Sequence, residues 1–164
     1  MESQPQTTCS HKQVSANDFS IRVARKGDID EMIRLLQYLF SHEDDFHFIP
    51  EHCHKGLEIL IEDDNSRVLV AVRENRVIAM CSGQQNVSTA MGGKSLLVED
   101  VVVNAQEQGM GIGTALLNNL AGWARNQGCK RMQLLADETN KKALDFYQRR
   151  HWGTTKLICL KTLL

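Results

Sequence analysis

The stretch VEDVVVNAQEQGMGIGTALL, residues 98–117, decides how the whole chain is interpreted. It begins as a β-branched strand, continues through a short polar loop, and reaches three glycines at alternate positions, Gly109, Gly111 and Gly113. A predicted helix follows at once with Thr114. Glycines let backbone N–H groups approach an anion closely, and the amino end of a helix adds partial positive charge. The pattern therefore predicts a loop that binds pyrophosphate.

Two well-known phosphate-binding patterns do not fit this loop. The dinucleotide-binding GxGxxG requires a third glycine where Thr114 stands, and the P-loop requires a lysine after its glycines, which this loop lacks. The alternative that stays open is a glycine-rich turn that binds no ligand.

A second motif is NKKALDFYQRR, residues 140–150. In a helix, Asn140, Tyr147 and the Ala143-Leu144 pair between them share one face, because they are three, four or seven residues apart. The helical rise places Asn140 and Tyr147 about 10 Å apart along the axis, so both could line one extended ligand. The alternative is that Tyr147 is a core residue beside Phe146.

The third candidate is the acidic pair Glu99-Asp100 inside the apolar strand. Strict alternation puts Glu99 on one face of the sheet with Leu97 and Val101, and Asp100 on the other. An acidic residue in an apolar strand is costly unless it has a partner or a function. The pattern does not decide which of the two faces a cleft, and a structural carboxylate bonded to a neighbouring strand remains the alternative.

Together these motifs resemble the GCN5-related N-acetyltransferase (GNAT) family. Its hallmark [Q/R]xxGx[G/A] is present as QGMGIG, residues 108–113, and its NxxAxxFY helix begins at Asn140. The resemblance covers residues 19–160 in element order and is specific over residues 98–152. His151-Trp152 stand where the family usually has Gly-Phe, which puts the usual turn after this helix in doubt.

The resemblance implies a mixed α/β fold, a GNAT-like single domain with a central, mixed, largely antiparallel twisted sheet flanked by helices. It also implies acetyl-CoA as the acetyl donor, with the pyrophosphate on the glycine loop and the pantetheine arm along the preceding strand edge. The cofactor-binding residues would be Val101, Val102, Val103, Gln108, Gly109, Met110, Gly111, Ile112, Gly113, Thr114 and Asn140.

Two residues would then be catalytic. Glu99 would anchor or deprotonate the acceptor, because an amine with a pKa of about 10 arrives protonated. Tyr147 would protonate the departing thiolate. The implied reaction is direct attack of a primary amine on the thioester.

The acceptor is expected to be a small, cationic amine, because Glu43, Asp44 and Asp45 lie between the first two predicted helices. The Glu-Asp strand motif and the FYxRR helix motif also resemble those of polyamine acetyltransferases. Acetylation of protein lysines or N-termini, and a non-catalytic acetyl-CoA-binding module, stay open as alternatives. A homodimer is also left open.

Composition sets further expectations. The 164 residues carry 19 basic and 20 acidic side chains, so the chain has no general positive field for nucleic acid. Residues 1–17 are expected to be a polar tail, and residues 18–164 the single domain. Without a signal pattern or a long apolar run, and with five scattered cysteines, a cytoplasmic protein is expected. The histidines of residues 42–54 match no standard metal spacing, so no metal is expected.

Hydrophobic periodicity predicts the elements. The predicted strands are residues 19–24, 68–72, 77–82, 95–103, 131–136 and 154–160. A first helix is predicted to start at an Asp28/Glu31 capping box and to run to about Phe40, and a second is predicted to end near residue 61. Two further helices are predicted at residues 114–127, with Gly128 after the end, and at residues 140–150. Cys81 and Cys159 are expected in the core.

Overall fold

The computed structural model describes residues 18–42 and 47–162. Its strands are β1 (Ser20–Val23), β2 (Ser66–Arg73), β3 (Arg76–Ser88), β4 (Gly93–Val103) and β5 (Cys129–Leu134). Its helices are α1 (Ile29–Phe40), α2 (Pro50–Glu62), α3 (Ile112–Asn126) and α4 (Lys141–Gln148), with short 3-10 turns at Lys26–Asp28 and Ala105–Glu107. The predicted polar tail, residues 1–17, lies outside the described residues.

The described strands form one sheet in the order β1-β2-β3-β4-β5. β1 to β4 are an antiparallel meander, and β5 runs parallel to β4 because α3 carries the chain back across the sheet. The predicted mixed, largely antiparallel sheet is confirmed.

The turn between β2 and β3 is left-handed at both of its central residues. Glu74 and Asn75 have φ values of 49° and 61°, and both positions of a two-residue type I′ hairpin turn require positive φ. The hairpin places Arg73 and Arg76 opposite each other at its end.

Each face of the sheet is buried by a different pair of helices. On what we call the α3 face, buried residues of α3 join Leu69, Cys81, Leu96 and Val98, with Phe146 and Tyr147 of α4 packed against them. On the α1/α2 face, Met32, Leu36 and Leu57 join Val68, Val70, Met80 and Val102. Neighbouring residues of β2 thus alternate between the two cores, as expected for a doubly covered sheet.

A β-bulge interrupts this alternation in β4. Met80 pairs with Val102 and Ser82 with Glu99, so the single residue Cys81 faces both Asp100 and Val101. Because of the extra residue, even-numbered side chains of β4 point to one face of the sheet before the bulge and to the other face after it. Leu96 and Val98 are buried on the α3 face, whereas Val102 is buried on the α1/α2 face.

The predicted capping box at the start of α1 is wrong. A 3-10 turn precedes the helix, and Asp28 caps that turn by accepting a 2.7 Å hydrogen bond from the backbone N–H of Arg25 and two from the Arg22 guanidinium. Glu31 instead accepts a 2.8 Å bond from the backbone N–H of Val77 in β3. Both carboxylates therefore satisfy backbone donors, though not the ones that the S/D-x-x-E spacing predicts.

The predicted last strand, residues 154–160, is also wrong. None of these residues is in a strand, and Leu157, Ile158 and Leu160 are 87%, 81% and 85% exposed. Cys159 is exposed, whereas Cys81 is buried as expected. Alternating residues can form a strand only where a sheet edge accepts their hydrogen bonds, and among the described residues β5 pairs with β4 alone. None of the described helices is long and apolar enough to cross a membrane.

Candidate active site

The edge of β4 is open at the residues where the family resemblance implies the pantetheine arm. β5 pairs with β4 at Leu96, Leu97 and Val98, and the pairing ends at Val98–Leu134. Beyond that point β4 continues through Val101, Val102 and Val103 with no described strand on this side. The backbone groups of this edge that point away from β3 are therefore available to an extended ligand, except for the carbonyl of Val103, which accepts a bond from Gln108.

The glycine loop follows directly from this edge. Gly109 and Gly111 have φ values of +84° and +79°, and an added Cβ at either would meet nothing within 4 Å. Positive φ explains both glycines, and the open space in front of them leaves the backbone accessible. Gly111 is the N-cap of α3, so the loop delivers an anion to the amino end of a 15-residue helix.

Gly113 also has a role in packing, in addition to the predicted role in the loop. A Cβ at this position would lie 3.1 Å from Cζ of Phe146 and 3.6 Å from Cγ2 of Val103. Gly113 is buried, and so is its neighbour Ile112. This third glycine lets α4 pack closely on the start of α3, while Gly109 and Gly111 shape the open loop.

Side chains from two elements fix the rest of the loop. Gln108 donates a 3.2 Å bond to the carbonyl of Val103 and accepts a 2.5 Å bond from the Nζ of Lys142. Gln108 thus joins the end of β4 to α4. Met110 lies at the surface of the loop.

A second link joins α4 to the first turn of α3. The guanidinium of Arg150 donates to the hydroxyl of Thr114 and to the carbonyl of Phe146, and lies 3.7 Å over the Phe146 ring. Burial, together with the nearby charge of Arg149, lowers the pKa of Arg150. A cation at the amino end of α3 adds to the positive potential that the helix itself provides there.

The acidic pair lies at the bulge of β4, and the prediction of opposite faces is wrong. Gln84 donates a 2.8 Å bond to Glu99, and Ser82 donates a 3.2 Å bond to Asp100. Ser82 and Gln84 are two residues apart on β3 and so point to the same face. Asp100 has a φ of +52°, which turns its side chain to the same side as that of Glu99. Both carboxylates therefore face α1 and α2.

The negative charge of Asp100 affects the pKa of two cysteine thiols. Burial, and then the Asp100 carboxylate, raise the pKa of Cys53 in α2 and raise that of Cys81 in β3 to about 12. Both thiols are thus held in their protonated form at neutral pH, which argues against either as a nucleophile.

Asn140 and Tyr147 occupy the two ends of α4. Asn140 is the N-cap, and its Oδ1 accepts a 3.0 Å bond from the backbone N–H of Ala143. The Tyr147 ring packs on the α3-face core, between Phe146 at 5.2 Å and Trp152 at 5.7 Å between ring centroids. Tyr147 and the acidic pair thus lie on opposite faces, and the open edge of β4 is the boundary between these faces.

The turn after α4 contains a left-handed residue, although this chain has His151-Trp152 where the family usually has Gly-Phe. His151 has a φ of +62°, a conformation that glycine adopts without strain. Trp152 then packs against the α3-face core.

The predicted acidic acceptor loop cannot be placed, because Glu43, Asp44 and Asp45 lie outside the described residues. Nearby, His42 contacts the backbone carbonyl of Tyr38 through its Nδ1, and His54 pairs with Glu58 at 3.5 Å. In residues 18–42 and 47–162 no group of three or more His, Cys, Asp or Glu side chains could hold a metal ion.

Sequence reasoning missed Ser82 and Gln84, and it included Lys142 and Arg150 only as part of the α4 motif, without their partners. Each contacts a predicted site residue from a different element. No local pattern marks such residues, because only the packing of β3 on β4 and of α4 on α3 creates the contacts.

Comparison with known proteins agrees with this geometry. The model of the acetyltransferase (GNAT) family matches residues 30–152. The thialysine N-ε-acetyltransferase of pig (Sus scrofa) is 26% identical over 143 residues, 78% of this chain and 80% of that protein. The mouse (Mus musculus) protein of the same name is 38% identical, but over 56 residues, 34% of this chain and 33% of that protein.

Two further proteins are similar over most of the chain. Human spermidine/spermine N(1)-acetyltransferase-like protein 1 is 29% identical over 150 residues, which are 85% of this chain and 21% of that protein. The crystal structure of a predicted acetyltransferase with acetyl-CoA from Clostridium acetobutylicum superposes with a TM-score of 0.73 at 15% identity, covering 88% of this chain and 96% of that one. The latter similarity is one of fold.

Proposed function

Because the chain belongs to the GNAT family and is an N-acetyltransferase that uses acetyl-CoA, we propose that its acceptor is the primary amine of a small cation. The observation that carries this proposal is the acidic pair. Glu99 and Asp100 both face α1 and α2, next to the edge of β4 where the thioester would lie. Two carboxylates on one face favour a cationic acceptor over an anionic one.

The residues of the loop and the open edge would hold acetyl-CoA in a fixed register. The backbone of residues 108–114 and the amino end of α3 bind the pyrophosphate, and the edge of Val101, Val102 and Val103 pairs with the pantetheine arm. Asn140 supports the arm from the start of α4. Positioning both reactants in this way supplies much of the rate acceleration.

Transfer then proceeds by direct attack. The amine nitrogen attacks the thioester carbonyl carbon, the new C–N bond forms, and the C–S bond breaks as the CoA thiolate leaves. Glu99 takes the proton that the ammonium must lose before attack, directly or through water. Tyr147 donates a proton to the thiolate, and the second proton, which the nitrogen loses as the amide forms, passes through water to the Tyr147 phenolate. The backbone N–H of Val101, at the bulge, stabilises the oxyanion.

The relatives give the acceptor class independent support. Their names refer to thialysine and to spermidine or spermine, whose amino groups are cationic at neutral pH. The acidic pair provides a physical reason for this chain to accept the same class. An amino-sugar phosphate would bring negative charge towards Glu99 and Asp100.

The test is a comparison of kcat/KM for spermidine, thialysine, a lysine-containing peptide and glucosamine 6-phosphate, each with acetyl-CoA at low and high salt. We expect the small cationic amines to have the highest kcat/KM, and their advantage to shrink as salt screens the carboxylates. A preference for the sugar phosphate or the peptide would contradict the proposed acceptor and leave the acetyl-CoA chemistry untouched.

A further inference from the structure

The glycine loop has a contact that its motif does not contain. Arg73, the last residue of β2, forms an ion pair with Glu107, the residue just before Gln108. Its terminal nitrogens also lie 3.7 and 3.9 Å from the sulfur of Met110, between the two left-handed glycines. The side chains of Arg73 and Glu107 are only 17% and 18% exposed.

Arg73 lies outside the loop, at a position that other contacts hold in place. Arg73 is fixed by the tight β2–β3 hairpin turn, and its Nε also reaches the backbone carbonyl of Asp18, 3.4 Å away. The loop itself has positive φ and open space at Gly109 and Gly111, so its own backbone offers little to define its shape. A rigid anchor outside the loop reduces the conformational entropy that the loop loses when it binds an anion.

The charge of Glu107 gives the contact a second consequence. A carboxylate within the loop repels a pyrophosphate that binds to the next few backbone N–H groups. Arg73 compensates this charge in a largely buried position, where solvent screens poorly.

We propose that Arg73 is a positioning residue for acetyl-CoA: it shapes the pyrophosphate loop through Met110 and Glu107 and neutralises Glu107. This inference rests on the proposed function, in which the loop binds the pyrophosphate. It assigns to β2 a part in cofactor affinity that the glycine motif does not reveal.

The test distinguishes binding of the pyrophosphate from reaction at the thioester. CoA affinity is measured by calorimetry, and kcat/KM is measured for acetyl-CoA and for S-acetylpantetheine, which has the same thioester and no pyrophosphate. For Arg73→Gln we expect CoA affinity to fall about tenfold or more, because one buried charge loses its partner, with kcat/KM for S-acetylpantetheine unchanged. Arg73→Lys keeps the charge and should retain most of the affinity.

The charge argument makes its own prediction for the partner. Glu107→Gln should reduce CoA affinity much less than Arg73→Gln, and the double variant should recover part of the loss, since the repelling carboxylate is gone. Arg76→Gln is the matched control: it removes the same charge from the same hairpin, and Arg76 makes no side-chain hydrogen bond or ion pair to the described residues. Its CoA affinity should equal that of the wild type.

Two results would overturn the role of Arg73. One is an Arg73→Gln protein that binds CoA as tightly as the wild type. The other is an equal loss with S-acetylpantetheine, which would mean general damage to the fold. If Arg73→Gln does not fold, the Arg73→Gln/Glu107→Gln double variant takes its place, because it leaves neither charge of the pair without its partner. A double variant that binds CoA as tightly as the wild type would overturn the role of Arg73 in shaping the loop. A wild-type protein that binds CoA no better than pantetheine would instead contradict the assignment of the loop itself.

Discussion

Glu99 and Asp100 are consecutive in β4, yet their carboxylates accept hydrogen bonds from Gln84 and Ser82, two residues on the same face of β3. The bulge opposite Cys81 and the positive φ of Asp100 bring them together. Like charges on one face repel each other, which costs free energy unless a bound cation compensates them. A cationic amine would provide that compensation at the place where the open edge of β4 begins.

The two carboxylates should differ in their effect on acetyl transfer. We expect Glu99→Gln to reduce kcat/KM most at low pH, where more of the amine is ammonium and must lose a proton before attack. Asp100→Asn should raise the KM for a cationic amine more than it lowers kcat, because it removes charge and not the base. Rate profiles from pH 6 to 9 for both variants check this, and the reverse order would make Asp100 the base.

Replacing Tyr147 should affect chemistry more than binding. Tyr147→Phe keeps the ring between Phe146 and Trp152 and removes only the hydroxyl, so we expect kcat to fall about a hundredfold with CoA affinity preserved. Tyr38→Phe, on the exposed side of α1, is the control and should keep full activity. Full turnover by Tyr147→Phe would mean that solvent protonates the thiolate.

The glycines of the loop should respond differently from a glycine of the helix. Gly111→Ala forces a side chain into positive φ, at a cost of about 1–2 kcal/mol, and should weaken CoA binding as measured by calorimetry. Gly122→Ala, within α3 and with open space around it, should stabilise the fold by up to about 1 kcal/mol and leave CoA affinity unchanged. If Gly111→Ala stays folded and keeps wild-type affinity, the loop is not the pyrophosphate site.

Acid should destabilise the start of α1 through Asp28. The Arg22 guanidinium, together with the backbone N–H of Arg25, lowers the pKa of this carboxyl below its unfolded value of about 3.9. Its contribution is therefore fully present at neutral pH and is lost as the pH falls through the lowered, folded-state pKa.

Asp28→Asn should consequently lower the free energy of unfolding by about 1–3 kcal/mol at pH 7, and by less in strong acid. Asp30→Asn, on the exposed side of the same helical turn, is the control and should cost only a few tenths of a kcal/mol. Urea unfolding at pH 7 and pH 3 measures the difference. A gap between the two variants that is equal at both pH values would contradict the role of the Arg22–Asp28 pair.

The sequence alone determined the features that depend on local backbone preferences. Alternation in residues 68–103 predicts the strands of the meander, and the glycines at 109 and 111 predict an anion-binding loop before α3. The family and its acetyl donor could be inferred for the same reason, because their motifs are contiguous. A phosphate-binding loop followed by a helix needs no distant residue to be recognised.

Only the tertiary structure decided which residues meet. The bulge that turns Glu99 and Asp100 to one face results from pairing with β3, and period-two alternation cannot reveal it. Gly113 meets Phe146, Gln108 meets Lys142, and Arg73 meets Glu107 across 33 or more residues of chain. Residues 154–160 alternate like a strand and form none, because a strand exists only where a partner edge takes up its hydrogen bonds.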